Sequence, residues 1–193
     1  MKIPLRVLIP VLALLCLIIL LSGCTETVPP EPPGDMVSIA EGQEPFRPIT
    51  LEEGIVKMEN LLSSEEEVPG NKTIPLYYIQ RRAVSSDGKA EQWIFGVKAD
   101  NLSYFVQVES NRQVLIPWSN ELPGKEIRLP AVIPPGDLIT RNGPLIARTF
   151  NKPEASLIVG LELSGNIYAV TQESGAVYRI LYFDASTGKV INQ

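Results

Sequence analysis

Trp93, Phe95 and Val97 are separated by single residues, and so are Leu102, Tyr104, Val106 and Val108. Asp100-Asn101 stands between the two sets. A side-chain period of two places each set on one face of a strand, whereas a helix would scatter it around its circumference. The pattern therefore commits this region to antiparallel sheet. Pro75 to Val84, rich in Tyr and Ile, supplies a preceding strand. It ends at Ser85-Ser86-Asp87-Gly88, a turn in which Gly tolerates positive φ. Asn111-Arg112 then turns the chain into a short strand from Val114 to Trp118. Upstream, Thr50-Leu51-Glu52-Glu53 has capping-box spacing, and Leu51, Ile55, Met58 and Leu62 follow at helical intervals. The spacing predicts a helix from Leu51 to Ser63, with Gly54 as a mild cost.

After a Pro-rich connection, Ser119 to Gly136, the pattern begins again. Asp137 can cap a helical segment carrying Leu138, Ile139, Leu145, Ile146 and Phe150. Asn142-Gly143-Pro144 interrupts it and predicts a kink, or a turn followed by a helix from Pro144. Strands are expected over Ser156–Leu163, Asn166–Glu173, Val177–Asp184 and Lys189–Asn192. At a constant offset Trp93, Phe95 and Val97 match Tyr168, Val170 and Gln172, while Leu102, Tyr104, Val106 and Val108 match Val177, Arg179, Leu181 and Phe183. This predicts an internal duplication. The expected fold class is α+β, with two tandem helix-plus-antiparallel-meander units at 49–118 and 137–193 joined by the connection 119–136.

Ahead of these units lies a different kind of sequence. Lys2 and Arg6 form a positive start, and Val7 to Leu21 is almost wholly apolar. A spanning helix needs about 20 apolar residues, so this run fits a signal peptide better than a membrane span. Leu21-Ser22-Gly23-Cys24 resembles the lipobox of bacterial and archaeal lipoproteins. The resemblance implies cleavage of residues 1–23, lipidation of Cys24 with acyl chains such as palmitate, and attachment to the cell membrane on its extracytoplasmic face. Residues 24–48 follow as a Pro- and Glu-rich linker, with Pro29, Pro30, Pro32 and Pro33 near its start. Pro fixes φ and removes a donor, so the linker is expected to serve as a spacer of roughly 50–70 Å rather than as packed structure.

Composition then excludes much chemistry. Removing Lys2 and Arg6 from 17 basic residues leaves 15 against 22 acids, a net charge of −7. An acidic domain has little attraction for nucleic acid. Cys16 and Cys24 are the two cysteines, and histidine is absent. The mature chain therefore has no disulfide framework, no Ser-His-Asp or Cys-His nucleophile, and none of the zinc sites built on His or Cys. No Gly-rich run stands between a strand and a helix, so no phosphate loop is visible.

The ending Tyr178-Arg179-Ile180-Leu181-Tyr182-Phe183-Asp184-Ala185-Ser186-Thr187-Gly188-Lys189-Val190-Ile191 is similar to the close of a PepSY domain. In the turn, Asp184 can bond backbone amides and Gly188 supplies the left-handed residue. The resemblance implies a small cystatin-like unit that binds or inhibits peptidases, or acts as an extracytoplasmic interaction module.

Individual residues weigh toward structure. Trp93 and Trp118 both sit on apolar strand faces, with Trp118 beside Pro117 the better exposed anchor. Tyr77 and Tyr78 are expected on opposite faces, and Arg81 and Arg82 at a solvated strand end. Glu65-Glu66-Glu67 reads as a solvated loop, because adjacent carboxylates converge poorly on a cation. Asn71-Lys72-Thr73 and Asn101-Leu102-Ser103 have the glycosylation triplet. No catalytic set, metal site or cofactor is expected. The expected function is that of a membrane-tethered, non-enzymatic lipoprotein with a protein or peptide partner, its peptidase-modulating role following from the resemblance. The alternative is a structural or assembly component of a cell-envelope complex.

Overall fold

The computed structural model describes residues 38–41, 45–64, 74–99, 102–150, 157–174 and 177–191. In chain order these form β1 (Ser38–Glu41), α1 (Leu51–Ser64), β2 (Leu76–Ser85), β3 (Gln92–Ala99), β4 (Leu102–Glu109), β5 (Arg112–Trp118), a 3-10 turn at Leu129–Ala131, α2 (Pro135–Phe150), β6 (Ile158–Ser164), β7 (Ile167–Ser174) and β8 (Val177–Asp184). The strands make one antiparallel sheet in the order β1-β5-β4-β3-β2-β6-β7-β8.

That order corrects the fold expected from the sequence. Two tandem helix-plus-antiparallel-meander units of PepSY/cystatin-like form are not what the chain builds. β2 and β6 pair from Tyr78↔Ser164 to Ser85↔Ile158, so the two stretches merge into one sheet. A single core cluster draws on both, from Ile49 and Trp93 to Tyr168 and Phe183. The physical reason lies in how strands pair. Alternating side chains define the faces of a strand, but its edges are backbone groups common to every residue type. The sequence pattern therefore marks β2 and β6 as strands without saying which strand each one joins.

The face of the sheet that carries the core reads directly from the period of two. Trp93, Phe95 and Val97 on β3 and Val106 and Val108 on β4 are fully buried. Val159, Leu161, Leu163, Tyr168 and Val170 do the same on β6 and β7. Leu51, Met58, Leu61 and Leu62 of α1 and Leu138, Ile139 and Ile146 of α2 complete the cluster. Gly54 is buried and lets α1 approach closely: a Cβ there would meet Trp93 Cδ1 and Phe95 Cζ at 3.1 Å. Its mild cost in helix propensity accompanies this close fit.

Both helix starts are tied to the sheet by a buried aromatic donor. Trp93 Nε1 donates to the Ile49 carbonyl at 3.1 Å, just ahead of α1. Tyr168 Oη donates to the Ile133 carbonyl at 2.8 Å, just ahead of α2. Each bond satisfies a polar atom that burial would otherwise leave unpaired. The Glu53 amide donates to Thr50 Oγ1 at 3.2 Å, capping α1. The Glu53 carboxylate turns outward to a bidentate pair with Arg47, at 3.0 and 2.5 Å, instead of closing a capping box.

Helix α2 also departs from expectation. It runs unbroken from Pro135 to Phe150 with Pro144 inside it. Pro144 removes the bond that the Thr140 carbonyl would accept, but both residues are exposed, so water can take up that carbonyl. Pro135 occupies the first helical position, where its missing N–H costs nothing, and Asp137 falls in the first turn. Of the expected strand Lys189–Asn192, the described residues Lys189, Val190 and Ile191 make a single bridge, Phe183↔Val190. Ser38–Glu41, inside the segment read as linker, pairs with β5 from Ser38↔Leu115 to Glu41↔Arg112. It falls in the proline-free run between Pro33 and Pro45.

Gln172 is the exception in this core. It is 3 % exposed, and neither its amide nitrogen nor its oxygen has a hydrogen-bond partner among the described residues. Its counterpart at the constant offset, Val97, is fully buried and apolar. Replacing an unpaired buried amide with an apolar group of similar volume removes a desolvation cost of about 1–3 kcal/mol. Gln172→Leu is expected to raise the midpoint of denaturant unfolding accordingly; a lowered midpoint would mean that the amide is bonded.

Candidate functional site

The second face of the sheet carries the complementary positions. Gln80, Ile94, Phe105, Gln107 and Ile116 are half-buried there, and Trp118 is 39 % exposed. Gly96 of β3 leaves a gap on this face. A Cβ at Gly96 would lie 2.8 Å from Tyr78 Cβ, 3.1 Å from Leu122 Cδ2 and 3.3 Å from Phe105 Cε1. Leu122, from the connection between β5 and α2, is buried in that gap. The Ile127 amide pins the same connection to the Leu76 carbonyl at 2.6 Å. The Pro-rich stretch therefore borders the sheet face rather than standing apart from it.

Three aromatic rings follow one another across this region. Tyr78 and Phe105 meet edge to face with centroids 6.0 Å apart, and Phe105 and Trp118 do so at 4.9 Å. Beside them lies a hollow of about 450 Å³, lined by Ile94, Phe105, Ile116, Trp118, Glu121 and Pro123 among others. Glu121 is the one charged side chain in that lining. Burial raises the Tyr78 hydroxyl well above its ordinary pKa, and the charge and hydrogen bond of Glu162 raise it further. Tyr78 thus remains a neutral donor to the Glu162 carboxylate.

A larger hollow of about 820 Å³ continues across β2, β3, β6, β7 and β8. Gln80 and Ile94 line both hollows. The expectation of a solvated end for Arg81 is corrected here. β2 has an irregularity between Arg81 and Val84 opposite β6. There the Arg81 side chain is only 15 % exposed. It donates from Nη1 to Gln92 Oε1 at 3.3 Å and from Nε to the Ala83 carbonyl at 3.2 Å, and Nη2 stands 3.6 Å from Glu91 Oε2. Burial lowers its pKa, opposed by the charges of Glu91 and Glu109.

The residues singled out in the sequence fall as follows. Trp93 is in the core and Trp118 is exposed. A bulge between Leu76 and Tyr78 breaks the strict alternation of the tyrosines. Tyr78 joins Phe105, while Lys98 Nζ sits over the Tyr77 ring, 5.2 Å from its centroid. Cys24, Glu65-Glu66-Glu67, Asn71 and Asn101 lie outside the described residues. Among the described residues no group of three or more His, Cys, Asp or Glu could hold a metal ion. No described helix is long and apolar enough to cross a membrane. Phe105, Ile116 and Gln107 were not foreseen as a site. Their signal was the set of positions left over once the core face had been assigned.

The turn after β8 is held by one carboxylate. Asp184 Oδ1 accepts from the Ser186 amide at 3.1 Å, the Thr187 amide at 2.8 Å and Thr187 Oγ1 at 2.8 Å, while Oδ2 accepts from Asn166 Nδ2 at 2.9 Å. Gly188 follows with φ 70°. The Thr187 hydroxyl, with the turn amides, holds the Asp184 pKa below the usual carboxylate value. Asp87, in the turn between β2 and β3, is lowered to about 2, chiefly by the Ser85 hydroxyl and by Lys89. A depressed folded-state pKa contributes stability that is complete above the unfolded value of 3.8 and is lost as pH falls toward the folded one. Carboxyl titration by NMR is expected to show both residues still ionised below the unfolded value of 3.8, and Asp87→Asn should flatten the acid limb of the unfolding curve.

Comparison with protein-family models, with curated proteins and with solved structures finds no match for this chain.

Proposed function

We propose that the protein is a membrane-tethered extracytoplasmic lipoprotein, attached through lipid on Cys24, whose sheet domain binds a protein partner without catalysing a reaction. The binding segment is an extended peptide with apolar side chains and a basic residue. The observation that carries this reading is the hollow beside Tyr78, Phe105 and Trp118. The exposed Trp118 ring, backed edge to face by the half-buried Phe105, offers large, rigid contact area. Aromatic-lined grooves of this kind take extended peptides. Glu121, the one charge in the lining, complements a basic side chain at its rim.

The anchor and the groove have separate tests. Cys24→Ser is expected to abolish metabolic labelling of the chain by radioactive palmitate; unchanged labelling would overturn the anchor. For the groove, the full chain would be cross-linked in its host membrane, and any captured protein identified and its contact segment synthesised. That peptide is expected to bind the wild-type chain and to bind Trp118→Ala about tenfold or more weakly, the scale of losing a buried aromatic anchor. Equal binding to both, or a contact segment without a basic residue, would overturn the groove reading.

A further inference from the structure

The larger hollow differs from the aromatic groove in three respects, and together they identify a ligand chemistry. Its lining alternates polar planar groups with small ones. Gln80, Gln92 and Glu162 offer donors and acceptors, and Thr171 adds a hydroxyl, while Gly160 and Ala169 keep the floor low. A Cβ on Gly160 would collide with Thr171 Oγ1, so the glycine leaves that hydroxyl room. Tyr178 and Tyr182 stand four residues apart on β8, on the same face and at the margin of the hollow. Tyr178 is 58 % exposed.

The charges are locally committed. Arg81 faces Glu91 at 3.6 Å and Gln92 at 3.3 Å, Gln92 Nε2 in turn donates to Glu109 Oε1 at 3.3 Å, and Glu162 accepts from Tyr78. Arg81 and Glu162, two of the three charged side chains in the lining, thus already meet partners within the protein, and Arg82, the third, is exposed. Neither of the two engaged charges is set apart to select a phosphate or a cation.

The backbone provides the third constraint. The floor of the hollow lies over β2, β6 and β7, which are hydrogen-bonded on both sides, and only its margin reaches the outer strand β8. A peptide placed over that floor cannot be held by strand addition, which needs a free edge. A ligand must instead use side-chain donors and acceptors on one hand and the faces of tyrosine rings on the other. Neutral molecules with rings whose C–H faces alternate with hydroxyls match that demand. Each hydroxyl both donates and accepts, as the amides and carboxylate of the lining require. The C–H faces stack on rings that are apolar in body and polar at the tip. The volume of about 820 Å³ suits a chain of a few sugar units.

We infer that the hollow formed by β2, β3, β6, β7 and β8 is a binding site for an uncharged oligosaccharide, with Tyr178 and Tyr182 as the stacking platform and Gln80, Gln92 and Thr171 as hydrogen-bonding groups. This site does not rest on the anchor, and it shares only Gln80 and Ile94 with the peptide groove. The test is calorimetric titration of the full chain, held in a detergent without a sugar head group, with cellohexaose, maltohexaose and chitohexaose. These separate β-linked glucose, α-linked glucose and N-acetylated amino sugar as the source of the shared chemistry. At least one is expected to bind, with an affinity reduced about tenfold or more in Tyr178→Ala and in Thr171→Val and unchanged in Trp118→Ala. Circular dichroism checks that each variant folds; a titration of the wild-type chain by proton NMR of its tyrosine ring signals reports the same site without any substitution. Absence of binding by all three sugars up to millimolar concentration would overturn the inference. So would binding that Tyr178→Ala and Thr171→Val leave intact, or that does not move tyrosine ring signals.

Discussion

The pairing of β2 with β6 is the interaction on which the rest of the structure depends. It joins strands whose paired residues include Tyr78 with Ser164 and Ile79 with Leu163, far apart in the chain. Without it, β2 and β6 would each present an unpaired edge, and Ile79 and Leu163, both fully buried, would lose an apolar neighbour. With it, residues from both halves close into one core. The same pairing makes the opposite face continuous, which is why Gln80 and Ile94 can border two hollows at once. The proposed sugar site exists only because β2 and β6 are neighbours.

The helices show a related economy. Each is preceded by a buried isoleucine carbonyl that accepts a hydrogen bond from an aromatic side chain of the sheet, Trp93 for α1 and Tyr168 for α2. One bond satisfies the donor and fixes where the helix begins over the sheet. Hydrogen bonds are stronger in a dry interior than in water, so these two add direction to the apolar packing that holds the helices on the sheet.

Much of the local structure was legible in the sequence. The alternation around Trp93 and Tyr104 falls on β3 and β4, and the strand expected from Val177 to Asp184 is β8 with those limits. The period of two is a property of side chains, and side chains are what a sequence states. The consecutive pairings of each meander were legible too, but the pairing of β2 with β6 was not, because such partners are chosen by backbone groups that every residue carries. Pro144 misled because its cost depends on whether the freed carbonyl meets water, which only the exposure of Thr140 decides. Arg81 misled because an irregularity in β2 carries it against Gln92 and Glu91. For the candidate sites, Trp118 could be singled out from its place at a strand end. The grouping of Tyr78 with Phe105 could not, since it rests on register across three strands and on the bare backbone of Gly96.

The long reach of the β2–β6 ladder also has a temporal side. Hairpins such as β3–β4 and β7–β8 join strands that are adjacent in the chain and can close as soon as both have been made. β2 must wait until β6 has been synthesised, some eighty residues later by its pairing of Tyr78 with Ser164. Contacts of such separation slow folding and leave intermediates with an open strand edge. During that interval Arg81 and Arg82 are the charges carried by the waiting strand. Charged side chains on an edge discourage pairing with a foreign strand. The arginines that end up beside a binding hollow can therefore act earlier as guards of an unfinished sheet.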